Sequence, residues 1–286
     1  MNNAAIGIFD SGLGGLTVAK EIAQALPHES LIYLGDQARC PYGPRDSLEV
    51  QNFVLQISRF LVIQKVKLIV IACNTATSCG LDIARQRFDV PIIGVINAGA
   101  RAGVKTTQSN TLAVIGTQRT IESDAYPKAI RELDNRVKVI GQATPELTSI
   151  VELGTDEELA ECVQKRGAYY HLVESYLRPI LEQGPDTLLL GCTHYPVLTE
   201  VLRAVAGPEL KIVCAAGEVA AEVKILLEEG GQLAATNAKA AYTFYTTGDD
   251  TDAFAWRGSR IFGKDLKGLG RVQHLNLENL NKEQTL

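Results

Sequence analysis

Short apolar runs alternate with stretches of helical periodicity along the chain. Four runs rich in β-branched residues and leucine come first, at residues 6–9, 31–34, 68–72 and 92–96. They show no polar alternation, which is typical of parallel strands that are covered on both faces. Helices are predicted over residues 17–26 and 50–61, the second behind Asp46 and Glu49, which have the spacing of a capping box. The alternation predicts an α/β fold.

The same alternation starts again in the second half of the chain. Further strand-like runs are found at residues 112–115, 137–140 and 187–190. A long helical stretch is predicted between Asp156 and Gln183. A closing section has strand-like runs at residues 212–214, 242–247 and 272–275 and a predicted helix over residues 218–229. The final ten residues or so are rich in Asn, Glu and Gln, and we expect them to fray.

The two halves of the chain contain matching segments. LIVIACNTA (68–76) and TLLLGCTHY (187–195) both consist of an apolar strand, a small residue, a cysteine and then hydrogen-bonding residues. IGIFDSG and LAVIGTQ both run from a strand into a polar turn. The repeat predicts two similar doubly wound parallel-sheet α/β domains that face a shared cleft, with the second domain inserted in the first. We expect the first domain to comprise residues 1–97 and 212–286, and the second to comprise residues 98–211.

Composition and charge restrict the function classes. The 286 residues are 46% apolar and 21% charged, which is typical of a globular protein. Basic residues number 28 and acidic residues 33, and no basic run stands out, so nucleic acid is not expected as the primary partner. The apolar runs are shorter than the roughly 20 residues of a membrane helix, and no signal peptide is recognised. We therefore expect a cytoplasmic protein without a membrane partner.

The cysteine spacing argues against a structural metal and against disulfides. Six cysteines are present, and none of them forms a C-x-x-C pair. A zinc site therefore has no support in the sequence, and disulfides are not expected in a chain without an export signal. Most of these cysteines are predicted to pack as small apolar residues.

A glycine-rich segment follows the first predicted strand. Its backbone N–H groups, at the start of a helix, can form an anion site. Gly12 and Gly14 match the start of the dinucleotide fingerprint, and Asp36 lies where a ribose-binding acid would stand. The third fingerprint position is Thr17, however, and Asp10 would repel a pyrophosphate. Dinucleotide binding and a purely structural turn are both kept as alternatives.

Cys73 and Cys192 each stand where a strand ends and a helix is predicted to begin. The partial positive charge of a helix N-terminus favours the thiolate form of such a cysteine. Cys73 is followed by Asn74 and Thr75, and Cys192 is followed by Thr193 and His194. These side chains suit an oxygen-rich ligand such as a carboxylate, and His194 can exchange a proton with Cys192. The stiff loop of residues 35–44 carries Tyr42 and is a candidate ligand clamp.

Three functions are compatible with these residues. One cysteine with one histidine suits acyl transfer in a thiol hydrolase, but this leaves the second cysteine unexplained. Two opposed thiols suit inversion at a carbon acid, because one thiolate can remove a proton from one face while the other thiol delivers a proton to the opposite face. The non-catalytic alternative is an amino-acid-binding module.

Five motifs, in order, resemble those of the cofactor-independent aspartate/glutamate racemase family, and in particular the glutamate racemases. They are FDSGLGG, GDxxxxPYG, ACNTAT, IGTxxTxxSxxY and GCTHYP, and the resemblance spans roughly residues 5–276. It implies two catalytic cysteines, Cys73 acting on D-glutamate and Cys192 on L-glutamate. Asp10 and His194 match residues that assist each thiol and contact substrate. The positions that match residues holding the charged ends of the substrate are Ser11, Tyr42, Gly43, Asn74, Thr75, Thr120 and Thr193.

The family also carries an acidic assistant at the end of a segment resembling C-P-x-x-V-P-L-V-E. Here residues 144–152 are TPELTSIVE, so Glu152 retains the acid whereas the Cys, Val, Pro and Leu that precede it are replaced. The resemblance further implies an isomerase that needs no cofactor and no metal and that supplies D-glutamate for peptidoglycan synthesis. We expect glutamate as its small-molecule partner and a homodimer as its assembly.

Overall fold

The computed structural model describes residues 1–153, 156–164 and 167–277, and within them ten strands form two parallel sheets. The strands are β1 (Ile6–Asp10), β2 (Leu31–Gly35), β3 (Leu68–Ile71), β4 (Ile92–Gly94), β5 (Thr111–Gly116), β6 (Lys138–Ala143), β7 (Thr187–Gly191), β8 (Lys211–Cys214), β9 (Tyr242–Thr246) and β10 (Gly270–His274). Nearly all of the tail that was expected to fray, residues 278–286, lies outside the described residues.

Helices connect these strands. They are α1 (Leu16–Ala25), α2 (Ser47–Ile63), α3 (Asn74–Arg87), α4 (Val95–Thr106), α5 (Gln118–Glu122), α6 (Ala125–Leu133), α7 (Glu146–Leu153), α8 (Asp156–Val163), α9 (Gly167–Leu181), α10 (Thr199–Ala206), α11 (Ala216–Glu229), α12 (Thr251–Phe262) and α13 (Leu266–Leu269), with 3-10 helices at Gln37–Arg39 and Tyr195–Leu198. The long helical stretch predicted between Asp156 and Gln183 is divided into α8 and α9. Within the described residues, none of the helices combines the length and the apolar character that crossing a membrane requires.

The four strands of the second sheet repeat the order of four neighbouring strands of the first, β2-β1-β3-β4. The first sheet is ordered β10-β9-β2-β1-β3-β4 and the second β6-β5-β7-β8, and every neighbouring pair is parallel. In each, the chain passes from a central strand to one side and then returns to the other side, which creates a switch point beside the third strand. The predicted fold class of two parallel-sheet α/β domains is confirmed.

The chain divides into two compact units, Met1–Val95 with Val219–Leu286 and Ile96–Glu218. The expected bounds placed residues 212–218 in the first domain. Strand β8 instead pairs with β7, with Leu188 opposite Ile212 and Leu190 opposite Cys214, so residues 211–214 belong to the second sheet. Strand β9 pairs with β2, so the end of the chain returns to the first sheet.

The start of α2 shows how local sequence determines a helix boundary. The Asp46 side chain accepts a hydrogen bond from the Leu48 N–H at 2.8 Å and caps the helix as predicted. Glu49, the other half of the predicted capping box, binds the Arg45 guanidinium at 2.6 Å. The apolar face of α2 then packs on β1 and β3 in a core that includes Phe9, Val54, Ile57 and Ile71. This core fixes the carboxyl ends of both strands.

Candidate active site

The first candidate site lies at the carboxyl ends of β1 and β3, at the switch point of the first sheet. Cys73 is the N-cap of α3, where its Sγ accepts a hydrogen bond from the Ala76 N–H at 3.4 Å. The same Sγ lies 3.8 Å from the Ser11 hydroxyl oxygen. Asn74 and Thr75 form the first turn of α3, and both are buried. The thiol therefore accepts a hydrogen bond from the start of the helix and donates one to the serine hydroxyl oxygen.

Asp10 is the last residue of β1 and is fully buried. Its Oδ1 accepts a hydrogen bond from the Gly12 N–H at 2.9 Å, and the Gly12 carbonyl accepts one from the Tyr33 hydroxyl at 2.7 Å. A side chain at Gly15 would collide with this arrangement, since its Cβ would lie 2.5 Å from the Asp10 Cβ. Hydrogen bonds from Gly12 to Asp10 and from Tyr33 to Gly12 thus fix the glycine-rich segment against Asp10.

Replacing Gly15 by alanine is expected to destabilise the protein by about 3 kcal/mol, because a Cβ at this distance forces the buried Asp10 or the helix start to move. The matched control is Gly217→Ala on α11, where the added Cβ meets nothing within 4 Å and should stabilise the helix by about 0.5–1 kcal/mol. Urea unfolding of both variants measures the difference. Equal unfolding free energies for the two variants would contradict the steric argument.

Tyr42 and Gly43 are buried in the loop that follows β2, and Asp36 organises this loop. The Tyr42 hydroxyl and the Arg39 Nε both donate to Asp36 Oδ2, the latter at 2.7 Å, and the Thr247 hydroxyl donates to Oδ1 at 2.7 Å. Burial, and then the Asp36 carboxylate, raise the pKa of Tyr42 well above its usual value, so the phenol stays protonated. Cys73 adds to this shift, which places Tyr42 near the first thiol.

The Asp36 contacts argue against the dinucleotide alternative. A ribose-binding acid must reach the ribose hydroxyls, whereas Asp36 is fully buried. Both oxygens of Asp36 already accept hydrogen bonds from this chain's own side chains. Its role is to hold the loop that carries Tyr42.

The second candidate site lies at the carboxyl end of β7, the third strand of the second sheet. Cys192 is 5% exposed, and its Sγ lies 3.6 Å from His194 Nδ1. His194 Nε2 lies 2.7 Å from Glu152 Oε1 at the end of α7. The structure therefore brings Cys192, His194 and Glu152 together in one row, although the residues that precede Glu152 depart from the family pattern.

The environment of Cys192 differs from the prediction in one respect. A helix was expected to begin directly after it, as at Cys73. The chain instead makes a turn, and the 3-10 helix Tyr195–Leu198 begins after His194. The His194 side chain, whose pKa is raised, therefore supplies the positive charge beside Cys192 that the helix N-terminus supplies beside Cys73.

His194 has a pKa well above its usual value. Burial of the ring favours the neutral form, but the hydrogen bonds to Cys192 and Glu152 outweigh this effect and raise the pKa. With both ring nitrogens protonated, Nδ1–H donates to Cys192 Sγ and Nε2–H donates to Glu152. A group whose pKa is raised on folding stabilises the protein fully below its unfolded pKa, and this contribution is lost as the pH rises through the folded pKa.

Glu152→Gln is expected to destabilise the protein by about 1–2 kcal/mol near about pH 6, because the glutamine carries no charge to pair with the buried imidazolium. The cost should shrink at alkaline pH, once the pH has risen through the raised pKa of His194 and the ring has lost its charge. The control is Glu200→Gln, which removes an exposed ion pair with Arg203 and should cost little at either pH. Urea unfolding at both pH values tests this, and a cost that is independent of pH would contradict it.

The remaining predicted binding residues lie at strand ends of the second unit. Thr120 is buried, and its hydroxyl lies 3.0 Å from that of Thr117, which caps α5 directly after β5. Thr193 is buried in the turn between Cys192 and His194. Both are therefore at the carboxyl edge of the second sheet, the same edge as Cys192.

Sequence reasoning missed three residues beside Cys192. Thr148 on α7 places its hydroxyl 3.9 Å from Cys192 Sγ. The Tyr195 hydroxyl donates to the Thr144 carbonyl at 2.8 Å and accepts from the Thr144 hydroxyl at 2.8 Å. The only signal in the sequence was that two threonines replace the Cys and the Val of the family pattern in residues 144–152.

Comparison with known proteins gives consistent matches along the chain. A family model described as Asp/Glu/Hydantoin racemase matches residues 6–223. The chain is 46% identical over 248 residues to a glutamate racemase of Exiguobacterium sibiricum, covering 86% of this chain and 88% of that protein. A crystal structure of a glutamate racemase isoform from Bacillus anthracis is similar with a TM-score of 0.88 and 40% identity, covering 97% of this chain and 99% of that one. A glutamate racemase of Francisella tularensis in complex with D-glutamate is similar with a TM-score of 0.85 and 31% identity, covering 98% of this chain and all (100%) of that one.

Proposed function

We propose that this chain, which belongs to the Asp/Glu/hydantoin racemase family and is therefore an isomerase, interconverts L-glutamate and D-glutamate with two thiols as acid and base. The observation that carries the proposal is the matched position of two buried cysteines, each within two residues of the end of the strand that comes third along the chain in its sheet. The relative from Francisella tularensis was crystallised with D-glutamate, which supports glutamate as the substrate.

The reaction needs only proton transfers. In the direction from L to D, the Cys192 thiolate removes the α-proton of L-glutamate and becomes a thiol. The electron pair stays on the α-carbon, and the Cys73 thiol then delivers its proton to the opposite face and becomes a thiolate. The reverse direction exchanges the two roles, so no atom is gained or lost over the cycle.

Each thiol has its own means of stabilising the thiolate form. Cys192 is hydrogen-bonded by the His194 ring, whose charge is held by Glu152. Cys73 accepts the Ala76 N–H at the start of α3 and lies beside Ser11. We assign Asp10 as the assisting acid on the Cys73 side. The residues that we assign to the charged ends of glutamate, all of them buried, are Ser11, Tyr42, Gly43, Asn74, Thr75, Thr120 and Thr193.

The row of Cys192, His194 and Glu152 also resembles the nucleophile, base and orienting acid of a thiol hydrolase. That function would use the thiol as a nucleophile and would accumulate an acyl-enzyme. It leaves Cys73 and its hydrogen bonds without a role. A racemase uses both sites.

We propose further that the D-glutamate it forms supplies peptidoglycan synthesis. We also propose that the enzyme acts as a homodimer.

Circular dichroism of L-glutamate in the presence of the purified protein tests the proposed function. The optical signal should decay to zero from either enantiomer, and in D₂O the α-proton should be replaced by deuterium. L-Glutamine and L-aspartate serve as controls that lack the γ-carboxylate or one methylene group, and their signals should persist. An unchanged glutamate signal, or an acyl-enzyme detected by mass spectrometry, would favour the binding module or the hydrolase.

A further inference from the structure

Thr148 lies against the sulfur of Cys192 inside the second unit. It stands four residues before Glu152 on α7, and residues at this spacing share one face of a helix. The Thr148 Oγ1 is 3.9 Å from Cys192 Sγ, and the residue is 6% exposed. Helix α7 therefore presents two polar groups to the second site, with Glu152 contacting His194 and Thr148 contacting the thiol.

The Thr148 hydroxyl belongs to a buried polar group that ends at Cys192. Near it lies the Tyr195 phenol, whose hydroxyl donates to the Thr144 carbonyl and accepts from the Thr144 hydroxyl. The Thr144 N–H and hydroxyl bind the Gly116 carbonyl at the end of β5, at 2.8 and 3.3 Å. The start of α7 is thereby attached to the second sheet, which keeps the Thr148 hydroxyl beside the sulfur.

The chemistry of this contact depends on the protonation of Cys192. A neutral thiol can either donate to the threonine oxygen or accept from it, whereas a thiolate can only accept. When Cys192 is a thiolate, the Thr148 O–H and the His194 Nδ1–H are both positioned to donate to it. Hydrogen bonds to a charged acceptor are the stronger kind, so the threonine favours the thiolate.

We propose that Thr148 is a positioning residue that stabilises the Cys192 thiolate and thereby sets how readily this chain removes the α-proton of L-glutamate. The inference rests on the proposed function, because it requires Cys192 to be the base for the L enantiomer. The family pattern has valine at this place, and valine has no hydroxyl to donate. The contact is therefore a property of this chain's own segment 144–152.

A test of Thr148 must distinguish its effect on Cys192 from the effects of the other groups that face this cysteine. His194 contacts the sulfur directly and carries the charge that Glu152 pairs with. Tyr195 and Tyr126 lie near enough for a Cys192 thiolate to raise their pKa further, and burial already keeps both phenols protonated. Thr148→Val removes only the hydroxyl from this set, since valine has nearly the same shape.

Racemisation rates alone cannot reveal an effect on one thiol. The two enantiomers have equal free energy, so kcat/KM must remain equal in both directions whatever residue is changed. Elimination from a β-chloro analogue of glutamate escapes this constraint because it is irreversible. The thiolate takes the α-proton, chloride leaves the β-carbon, and the resulting enamine is hydrolysed to an oxo acid and ammonia. The L-like analogue reports on Cys192 and the D-like analogue on Cys73.

Thr148→Val should lower kcat/KM for elimination from the L-like analogue by about 10-fold, the effect of losing one hydrogen bond to a charged acceptor. The acid limb of its pH profile should move to higher pH by about one unit. Elimination from the D-like analogue should stay within about 2-fold, and Thr148→Ser, which keeps the hydroxyl, should restore most of the rate for the L-like analogue. The control is Thr106→Val at the end of α4, where the hydroxyl donates to the Ala102 carbonyl and neither rate should change.

Equal losses with both analogues, no loss with either, or a serine variant as slow as the valine variant would overturn the role of Thr148. Two other results would contradict the proposed function itself. In that case the unmodified protein would not racemise glutamate, or Cys192→Ala would still process the L-like analogue. Unfolding free energies of the three variants, measured alongside, show whether any loss of rate follows loss of structure.

Discussion

Alanine at Cys73 or at Cys192 is expected to lower glutamate racemisation by at least about 10⁴-fold, because each turnover needs one thiolate to take a proton and one thiol to give a proton. The loss should be the same in both directions, since each direction uses both groups. Both side chains are buried and small, so the alanine variants should remain folded. Circular dichroism of either enantiomer measures the loss, and far-ultraviolet spectra of the variants confirm the fold.

Serine at the same positions separates the two roles. A hydroxyl is a far weaker acid than a thiol, so serine cannot act as the base, and racemisation should again be lost. Elimination needs only one base, so Cys73→Ser should still process the L-like β-chloro analogue through Cys192, and Cys192→Ser the D-like analogue through Cys73. If both serine variants lost both eliminations equally, or if either kept full racemisation, the two-base assignment would be wrong.

His194→Asn should reduce elimination from the L-like analogue by about 100-fold, because asparagine carries no charge to stabilise the Cys192 thiolate and cannot exchange its proton. Elimination from the D-like analogue should change by less than about 3-fold, since Cys73 has its own donor in the Ala76 N–H and its own neighbour in Ser11. In racemisation the loss of kcat/KM must be shared by both directions. Any asymmetry will therefore appear only in kcat and KM taken separately.

Two variants complete the design of the His194 experiment. Asp10→Asn should show the mirror image, with the larger loss for the D-like analogue. His171→Asn on α9 removes an exposed histidine that is paired with Glu174, and neither elimination rate should change. A His194 variant that affected both analogues alike would point to a structural role for the ring.

The strands could be predicted from sequence because their residues are buried on both faces. Parallel strands of this kind leave apolar runs without alternation, and each of the predicted runs overlaps an observed strand. The domain assignment of residues 212–218 was harder, because the run at 212–214 reads the same in either sheet. Only pairing with β7 decides it, and pairing is a property of the folded chain.

Some residues of the two sites can likewise be predicted from sequence, whereas others depend on contacts that form only in the folded chain. Cys73, Cys192 and His194 can be predicted because each lies just beyond the carboxyl end of a strand, where parallel sheets bind ligands. Asp36 was noticed for its position, but its partner Thr247 lies 211 residues away and carries no local signal. A threonine inside a helix is ordinary, so the sequence gives no signal for the contact of Thr148 with Cys192, which forms only when α7 packs beside the sulfur.

The bond between Asp36 and Thr247 has a consequence for the order of events on the ribosome. Domains tend to fold as units during synthesis. Residues 96–218 form the second sheet from one continuous segment, so this unit can fold as soon as it emerges. The first sheet must wait for β9, and the loop that carries Tyr42 must wait for Thr247. A chain released before that residue would therefore hold the complete second sheet with Cys192 at the end of β7, whereas the loop that carries Tyr42 would lack the Thr247 hydroxyl that binds Asp36.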